Sequence, residues 1–261
     1  MLDINLIQDI ILPYWPVFPA VFVAGIVDAI GGGGGLITLP AYMLTGLPPH
    51  QAIGTNKMSS CMGTTLATYK FAREGYINLK LAAFAVPLAL AGSFAGAQLS
   101  LLIDNTLFKW LMLFILPVAA FFVLKTKRFD EGKEPFSFRK TAVLASVCAL
   151  SVGIYDGFYG PGTGTFLILL LTAWARLSLQ EANGLTKAIN LTTNVTSLAV
   201  FLANGTVLVP LGFLAGLCNM AGNRIGVSFF NKKGGAAVKP VILLVLAVFL
   251  VKTVLELLGL A

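Results

Sequence analysis

The sequence predicts an all-α, polytopic membrane protein made of two repeats with inverted topology. Each repeat is expected to be a glycine-broken helical hairpin plus three transmembrane helices. The membrane setting follows from composition, since 57% of the 261 residues are hydrophobic and 11% are charged. The mean hydropathy is +0.87, and a soluble domain carries about 25% charged residues. The repeats follow from two matching halves, and the inversion follows from their loop charges.

Apolar segments of a length suited to a bilayer recur along the chain. A spanning helix needs about 20 mostly apolar residues. Such runs are found at 10–30, 79–103, 107–124, 141–155, 206–230 and 238–258. The first ten residues contain two aspartates and no basic residue. Because a cleaved signal peptide begins with a basic region, we expect the first apolar run to be retained.

Two motifs of the first half recur in the second. GIVDAIGGGGG at 25–35 aligns with GIYDGFYGPGTG at 153–164, and AIGTNK at 52–57 aligns with ANGLTK at 182–187. Further on, AGAQ, which ends at Gln98, aligns with AGNR, which ends at Arg224. The matches predict a first transmembrane repeat at 1–124, a basic linker at 125–140 and a second transmembrane repeat at 141–261.

The loop charges predict that the two repeats cross the membrane in opposite directions. Three basic residues lie between 70 and 80, and the equivalent loop at 203–206 has none. The next loop reverses the pattern, with no basic residue at 102–106 and three lysines at 231–239. Loops rich in Lys and Arg stay in the cytoplasm. Equivalent loops are therefore expected on opposite sides, as in many secondary transporters, with the linker 125–140 in the cytoplasm.

The glycine runs predict breaks in the transmembrane helices. Glycine has low helix propensity, and irregular backbone in a membrane must face a cavity or other protein. Such a break starts a new helix, whose positive N-terminal end attracts an anion. A single break has a packing adaptation as its alternative. Two breaks at equivalent positions favour two half-helices that converge on one site.

The segment after each hairpin is unusually polar for a membrane span. At 100° per residue, Lys57 shares a helix face with Ser60 and Thr64, and Lys187 shares one with Asn190 and Asn194. A lysine at the centre of a membrane helix costs about 3 kcal/mol on insertion scales. Two interpretations stay open for the lysines: they line a shared anion pocket, or they snorkel towards the membrane surface. The hydroxyl groups also suit hydrogen bonding between helices.

Three further features have open interpretations. Asp28 and Asp156 lie beside the breaks, where a carboxylate either pairs with a lysine and supports the hairpin or carries a proton for coupling. Arg224 stands where the first repeat has Gln98. It either touches the substrate or snorkels towards the basic loop that follows it.

The sequence contains no pattern that indicates an enzyme, a cofactor or a metal. The GxGxxG, Walker, HExxH and GxSxG motifs are absent. The single histidine, His50, and the cysteines Cys61, Cys148 and Cys218 lack metal-ligand spacing. The net charge of +7 is concentrated at the ends of apolar runs, which indicates membrane topology and not nucleic-acid binding. We expect no cofactor, no metal, no catalytic residues and no nucleic-acid partner.

The repeated pattern GxxDxxxGxGGG, followed by a proline-ended turn and AxGTNK, resembles the TauE/SafE sulfite exporter family over roughly residues 15–258. The resemblance implies a bacterial inner-membrane protein in contact with lipid that moves sulfite, thiosulfate or related organosulfonates. It also implies pocket groups in each half, which are Gly32, Gly33, Gly34, Gly35, Asn56 and Lys57, and Gly160, Gly162, Gly164, Lys187 and Asn190. Accessory groups are expected at Ser60, Thr64, Asn194, Arg224 and Gln98.

The sequence therefore predicts a secondary transporter, and by the family name an exporter, of small sulfur-containing anions that works by alternating access. A proton is the candidate coupling ion. The alternatives are an anion channel and a carrier of non-sulfur organic anions. A membrane enzyme that uses Cys61 is a third, weaker interpretation, because no base or metal ligand accompanies the thiol.

Overall fold

A computed structural model describes residues 11–104, 134–233 and 255. Every regular element in this part of the chain is a helix, which confirms the all-α prediction. The helices are α1 (Leu12–Tyr14), α2 (Val17–Gly31), α3 (Gly35–Leu44), α4 (Pro49–Arg73), α5 (Leu79–Leu101), α6 (Phe138–Phe158), α7 (Thr163–Ala173), α8 (Leu179–Ala203) and α9 (Val209–Lys233). The apolar runs at 107–124 and 238–258 lie outside the described residues, as does most of the linker 125–140.

Both glycine-rich segments break a helix, as expected. In the first half, α2 ends at Gly32, whose φ of 75° is left-handed and whose N–H donates to the Asp28 carbonyl. The chain then turns into the short helix α3. In the second half, Gly160 and Gly162 have φ values of 96° and 80°, and α7 follows them directly. L-residues with a Cβ rarely adopt such φ values, so these three positions favour glycine.

The long polar helices α4 and α8 have clear start and stop signals. Helix α4 begins with proline at its first position, where the missing N–H costs nothing. Helix α8 begins with a capping box, in which the side chains of Ser178 and Glu181 each accept from the other's backbone N–H. Each helix is followed by a left-handed glycine, Gly75 or Gly205.

Packing between the halves follows a reciprocal pattern. Among the described helices, the one that carries the first glycine motif of each half packs against the apolar helix that follows the polar helix of the other half, so α2 contacts α9 and α6 contacts α5. Helices α4 and α8 contact each other between these pairs. Glycines allow the close approach: a Cβ on Gly157 would overlap the Ser93 carbonyl, and one on Gly222 would overlap the Phe22 carbonyl. The contacts are twofold in pattern, and the inverted orientation across a membrane stays a prediction.

Helices α5 and α6 have the length and composition of membrane spans within the described residues, with hydropathies of 1.6 and 1.5. Their outward faces carry large exposed apolar side chains, including Phe84, Phe94, Val143 and Val147. Helices α4 and α8 are equally long but carry buried polar residues instead. The described part of the chain thus has an apolar outer surface around a polar centre.

Candidate functional site

The two hairpin breaks meet at the centre of the molecule. A Cβ on Gly32 would overlap the carbonyl carbon of Gly164, and one on Gly164 would lie 2.6 Å from the Cα of Gly32. The Thr165 hydroxyl, in the first turn of α7, donates to the Gly31 carbonyl at the end of α2 over 2.7 Å. The glycines therefore let two backbones touch, in addition to breaking their helices.

A cavity lies beside this crossing. The cavity has a volume of about 30 Å³, and a single water molecule needs about 10–15 Å³ of such volume. The space therefore suits a ligand of a few heavy atoms. The lining residues are Asp28, Gly32, Gly34, Gly35, Asn56, Lys57, Ser60, Thr64, Asp156, Gly160, Thr163, Gly164, Asn190, Asn194 and Asn219.

Each lysine forms an ion pair with the aspartate of the opposite half. Lys57 Nζ lies 2.9 Å from Asp156 Oδ2 and donates to the Asp156 carbonyl over 2.7 Å. Lys187 Nζ lies 3.2 Å from Asp28 Oδ2 and also donates to the Asp28 carbonyl. The lysine side chains are 2% and 0% exposed. The snorkelling interpretation is therefore wrong for both.

The surroundings of the two carboxylates differ. Asp156 Oδ1 accepts a 2.7 Å hydrogen bond from the Thr163 hydroxyl, and the Asp156 side chain is 6% exposed. Asp28 is 16% exposed, and its motif has Gly35 in the position of Thr163. This geometry matches the hairpin-support interpretation, because each carboxylate ties its hairpin to the polar helix of the other half.

Helices α4 and α8 supply the neutral polar groups of the cavity. Asn56, Ser60 and Thr64 project from α4, and Asn190 and Asn194 project from α8. The Ser60 hydroxyl is 3.4 Å from Asn56 Oδ1, and Asn194 Nδ2 is 3.5 Å from the Thr64 hydroxyl. The Thr64 hydroxyl donates to the Ser60 carbonyl over 2.7 Å and is left as an acceptor, whereas the long contacts of Ser60 and Asn194 leave donor capacity at the cavity. The prediction that these faces converge on one cavity agrees with the geometry.

Some predicted site residues do not line the cavity. Gly33 and Gly162 shape the breaks but lie outside the lining, and Lys187 lies behind Asp28 with no exposed side-chain surface. Gln98 and Arg224 are exposed on the outer faces of α5 and α9. Their expected accessory role is therefore wrong in this geometry, because helix rotation points both side chains away from the centre.

The sequence analysis missed two lining residues, Thr163 and Asn219. Thr163 lies between Gly162 and Gly164 in the second break, where the glycines are the stronger sequence signal. Asn219 is a buried amide in the apolar helix α9 and is 4% exposed. A polar residue buried in an apolar helix is the signal that could have found it. No group of three or more His, Cys, Asp or Glu side chains suited to a metal is found in residues 11–104 and 134–233.

Broken helices that meet at a buried polar cavity, within an apolar exterior, define a multi-pass membrane transporter. The chain belongs to the sulfite exporter TauE/SafE family, whose model matches residues 17–253. The resemblance expected from the repeated motifs is thereby confirmed.

Curated relatives cover most of the chain. The probable membrane transporter protein ORF9 of Sinorhizobium sp is 36% identical over 233 residues, which span 87% of each chain. A probable membrane transporter protein of Haemophilus influenzae is 36% identical over 85% of this chain and 87% of its own. The probable membrane transporter protein YfcA of Escherichia coli K12 is 31% identical over 90% and 87%, respectively. No solved structure matches the chain.

Proposed function

We propose that the protein is a secondary transporter that carries small sulfur-containing anions, such as sulfite, thiosulfate or organosulfonates, across the bacterial inner membrane by alternating access. The observation that carries the proposal is the cavity at the hairpin crossing, with the Lys57 ammonium in its wall. The name of the family, sulfite exporter, suggests the sulfur chemistry and the direction of export. We also propose a cytoplasmic position for the linker 125–140, which its basic charge supports.

Recognition of the anion is assigned to donors on three sides. The Lys57 ammonium supplies positive charge and the one N–H that its two contacts with Asp156 leave over. The side-chain amides of Asn56 and Asn190 supply neutral donors. Helices α3 and α7 begin at the cavity, with Gly35 and Thr163 of their first turns in its lining. The positive ends of both helix dipoles therefore face the same small space, which favours an anion.

The charge balance of the site supports proton coupling. Two lysines and two aspartates form two ion pairs, so the four groups sum to zero. An entering anion leaves uncompensated negative charge in a buried site, where an unpaired charge costs several kcal/mol. A proton taken up by one carboxylate restores neutrality. We therefore assign the proton as the coupling ion, moving in the same direction as the anion.

The ion pairs between the two halves support alternating access. Each polar helix is held to the hairpin of the other half by its lysine. Protonation of an aspartate weakens one of these ties, and the bound anion replaces the lost carboxylate charge. Loading of the site is thereby linked to the hold of one half on the other.

The test is counterflow in proteoliposomes that contain the purified protein. We expect saturable sulfite uptake that is accelerated by sulfite inside the vesicle and driven to accumulation by an inwardly directed proton gradient. Empty vesicles and vesicles with Lys57→Gln are the controls. Flux that neither saturates nor responds to internal sulfite would identify an anion channel.

A thermal-shift screen identifies the anion class on the same detergent-purified protein. We expect sulfite, thiosulfate or sulfoacetate to raise the melting temperature more than taurine, which also carries an ammonium. Stabilisation by non-sulfur carboxylates alone would make the protein a carrier of other organic anions.

A further inference from the structure

Helix α9 contributes an oriented amide to one side of the cavity. Asn219 lines the cavity, and Asn223 follows it one helical turn later. Asn223 Nδ2 donates to Asn219 Oδ1 over 2.6 Å and to the Asn219 carbonyl over 3.1 Å. Because its side-chain oxygen is already engaged as an acceptor, Asn219 presents its Nδ2 group as the remaining function. That group is a donor only, and a donor is what an anion requires.

The amide pair occupies space that a glycine leaves open on the neighbouring helix. A Cβ on Gly63 of α4 would overlap Asn219 Oδ1 and would lie 2.6 Å from Asn223 Nδ2. Asn223 itself is fully buried. Gly63 is therefore required for Asn219 to reach the cavity in this orientation, with Asn223 as its support.

The other half of the molecule lacks this arrangement. By the repeat alignment, Ser93, Ala97 and Thr193 stand in the positions of Asn219, Asn223 and Gly63. The Ser93 hydroxyl bonds to the Thr193 carbonyl and to the Ser197 hydroxyl, both at 2.8 Å. It packs helix against helix and does not line the cavity. Only the second half thus sends a polar group from its last helix into the cavity, among the residues described.

We propose that Asn219, held by Asn223 in the space left by Gly63, donates a hydrogen bond to the bound anion and helps to select oxyanions over monatomic anions. The inference rests on the proposed function and names a specificity residue for it. An oxyanion offers several acceptor oxygens to separate donors, so it can engage Lys57 and Asn219 at once. A halide presents a single centre, which cannot satisfy separated donors with good geometry at both.

The experiment measures sulfite and bromide affinity of the purified full-length protein by isothermal titration, with melting temperature as a check on folding. Asn219→Asp keeps the shape of the side chain, replaces the donor with an acceptor and adds a negative charge, whose repulsion acts on both anions, so the sulfite-to-bromide ratio is the deciding readout. We expect sulfite affinity to fall by about 10- to 100-fold, the range for loss of a hydrogen bond to a charged group. Bromide affinity falls less, so the sulfite-to-bromide ratio falls as well. Asn223→Ala, which frees the orientation of Asn219, lowers the ratio to a smaller extent.

Ser93→Ala is the matched control from the other half. It removes a buried hydroxyl at the position that corresponds to Asn219 in the repeat. We expect its melting temperature to fall and its sulfite-to-bromide affinity ratio to equal that of the unmodified protein. Gly63→Ala displaces Asn219 and lowers the ratio, like Asn219→Asp.

The outcomes separate this inference from the proposed function. If Lys57→Gln loses sulfite binding while Asn219→Asp keeps the normal affinity and ratio, the assignment of Asn219 is overturned and the transporter proposal stands. Equal losses for sulfite and bromide in Asn219→Asp overturn the selectivity role. If Lys57→Gln binds sulfite normally, the anion site itself is misplaced, and both proposals fail.

Discussion

The two lysine–aspartate pairs come from the same repeated motif, yet they present different partners to the cavity. In the Lys57–Asp156 pair both side chains lie in the cavity wall, and the carboxylate is fixed by the Thr163 hydroxyl. In the Lys187–Asp28 pair the lysine is hidden, and the carboxylate is the more exposed member. The two copies therefore differ in their cations, because both carboxylates line the cavity but only Lys57 of the two lysines does. We assign substrate binding to Lys57 and proton uptake to Asp28.

The largest expected difference between the pairs is in anion affinity. Lys57→Gln leaves the buried Asp156 unpaired and should lose about 3–5 kcal/mol of stability, whereas Lys187→Gln leaves the partly exposed Asp28 unpaired and should lose less. Only Lys57→Gln removes the ammonium that lines the cavity, and we expect its sulfite affinity to fall about 100-fold. Lys187→Gln should lose less than about tenfold.

Titration calorimetry together with melting curves measures both quantities. Lys80→Gln, at an exposed position, is the control for loss of one positive charge. Equal losses of affinity in the two buried variants would show that the pairs are equivalent, and the division of roles would be wrong.

The next effect concerns the glycine breaks. Gly32→Ala must separate two touching backbones, whereas a Cβ on Gly160 meets the Asp156 carboxylate at 2.8 Å and the Lys57 ammonium at 3.1 Å. We expect Gly32→Ala to lower stability by about 3 kcal/mol or more, as overpacking adds to φ strain. Gly160→Ala should disturb anion affinity more than its loss of stability would suggest.

Gly75→Ala is a matched control for the glycine breaks. Its φ is also 75°, and an added Cβ meets nothing within 4 Å. It should cost only the strain of a left-handed residue, about 1–2 kcal/mol. If chemical denaturation gives Gly32→Ala and Gly75→Ala the same stability, the contact between the hairpins contributes nothing.

The smallest expected effect separates the two carboxylates by pH. If Asp28 takes up the coupling proton, sulfite accumulation depends on the pH difference across the vesicle membrane. Asp28→Asn, which is always neutral, should remove this dependence and retain counterflow, with rates changed by about tenfold or less. Asp156→Asn should keep the pH dependence. A pH profile unchanged in Asp28→Asn and flattened in Asp156→Asn would exchange the two assignments.

The repeats, the helix breaks and most of the polar cavity could be predicted because they depend on local signals. Glycine runs disrupt a helix wherever they occur, and the spacing of Lys57, Ser60 and Thr64 fixes a common helix face. The pairing of each lysine with the opposite aspartate could not be predicted, since it depends on how α2 and α6 pack beside the polar helices of the other half.

Arg224 and Asn219 illustrate the limit of reading a repeat. Arg224 differs from Gln98 in the alignment, which makes it a candidate site residue. A difference between the two copies does not indicate whether a side chain faces the cavity or the outer surface. Asn219 aligns with Ser93, a small polar residue that looks equivalent. The missing side chain of Gly63 leaves room for Asn219 to face the cavity. That room depends on the packing between α4 and α9, which an alignment of the repeats does not show.

The glycine contacts between α2 and α9, and between α5 and α6, determine which parts of the molecule can shift together. At these contacts a backbone carbonyl fills the space that a Cβ would take. The two helices therefore cannot slide past each other without a clash. A rearrangement that keeps these contacts must move α9 together with α2, and α6 together with α5. The two moving units would then each combine helices from both repeats, and neither unit would coincide with a single repeat.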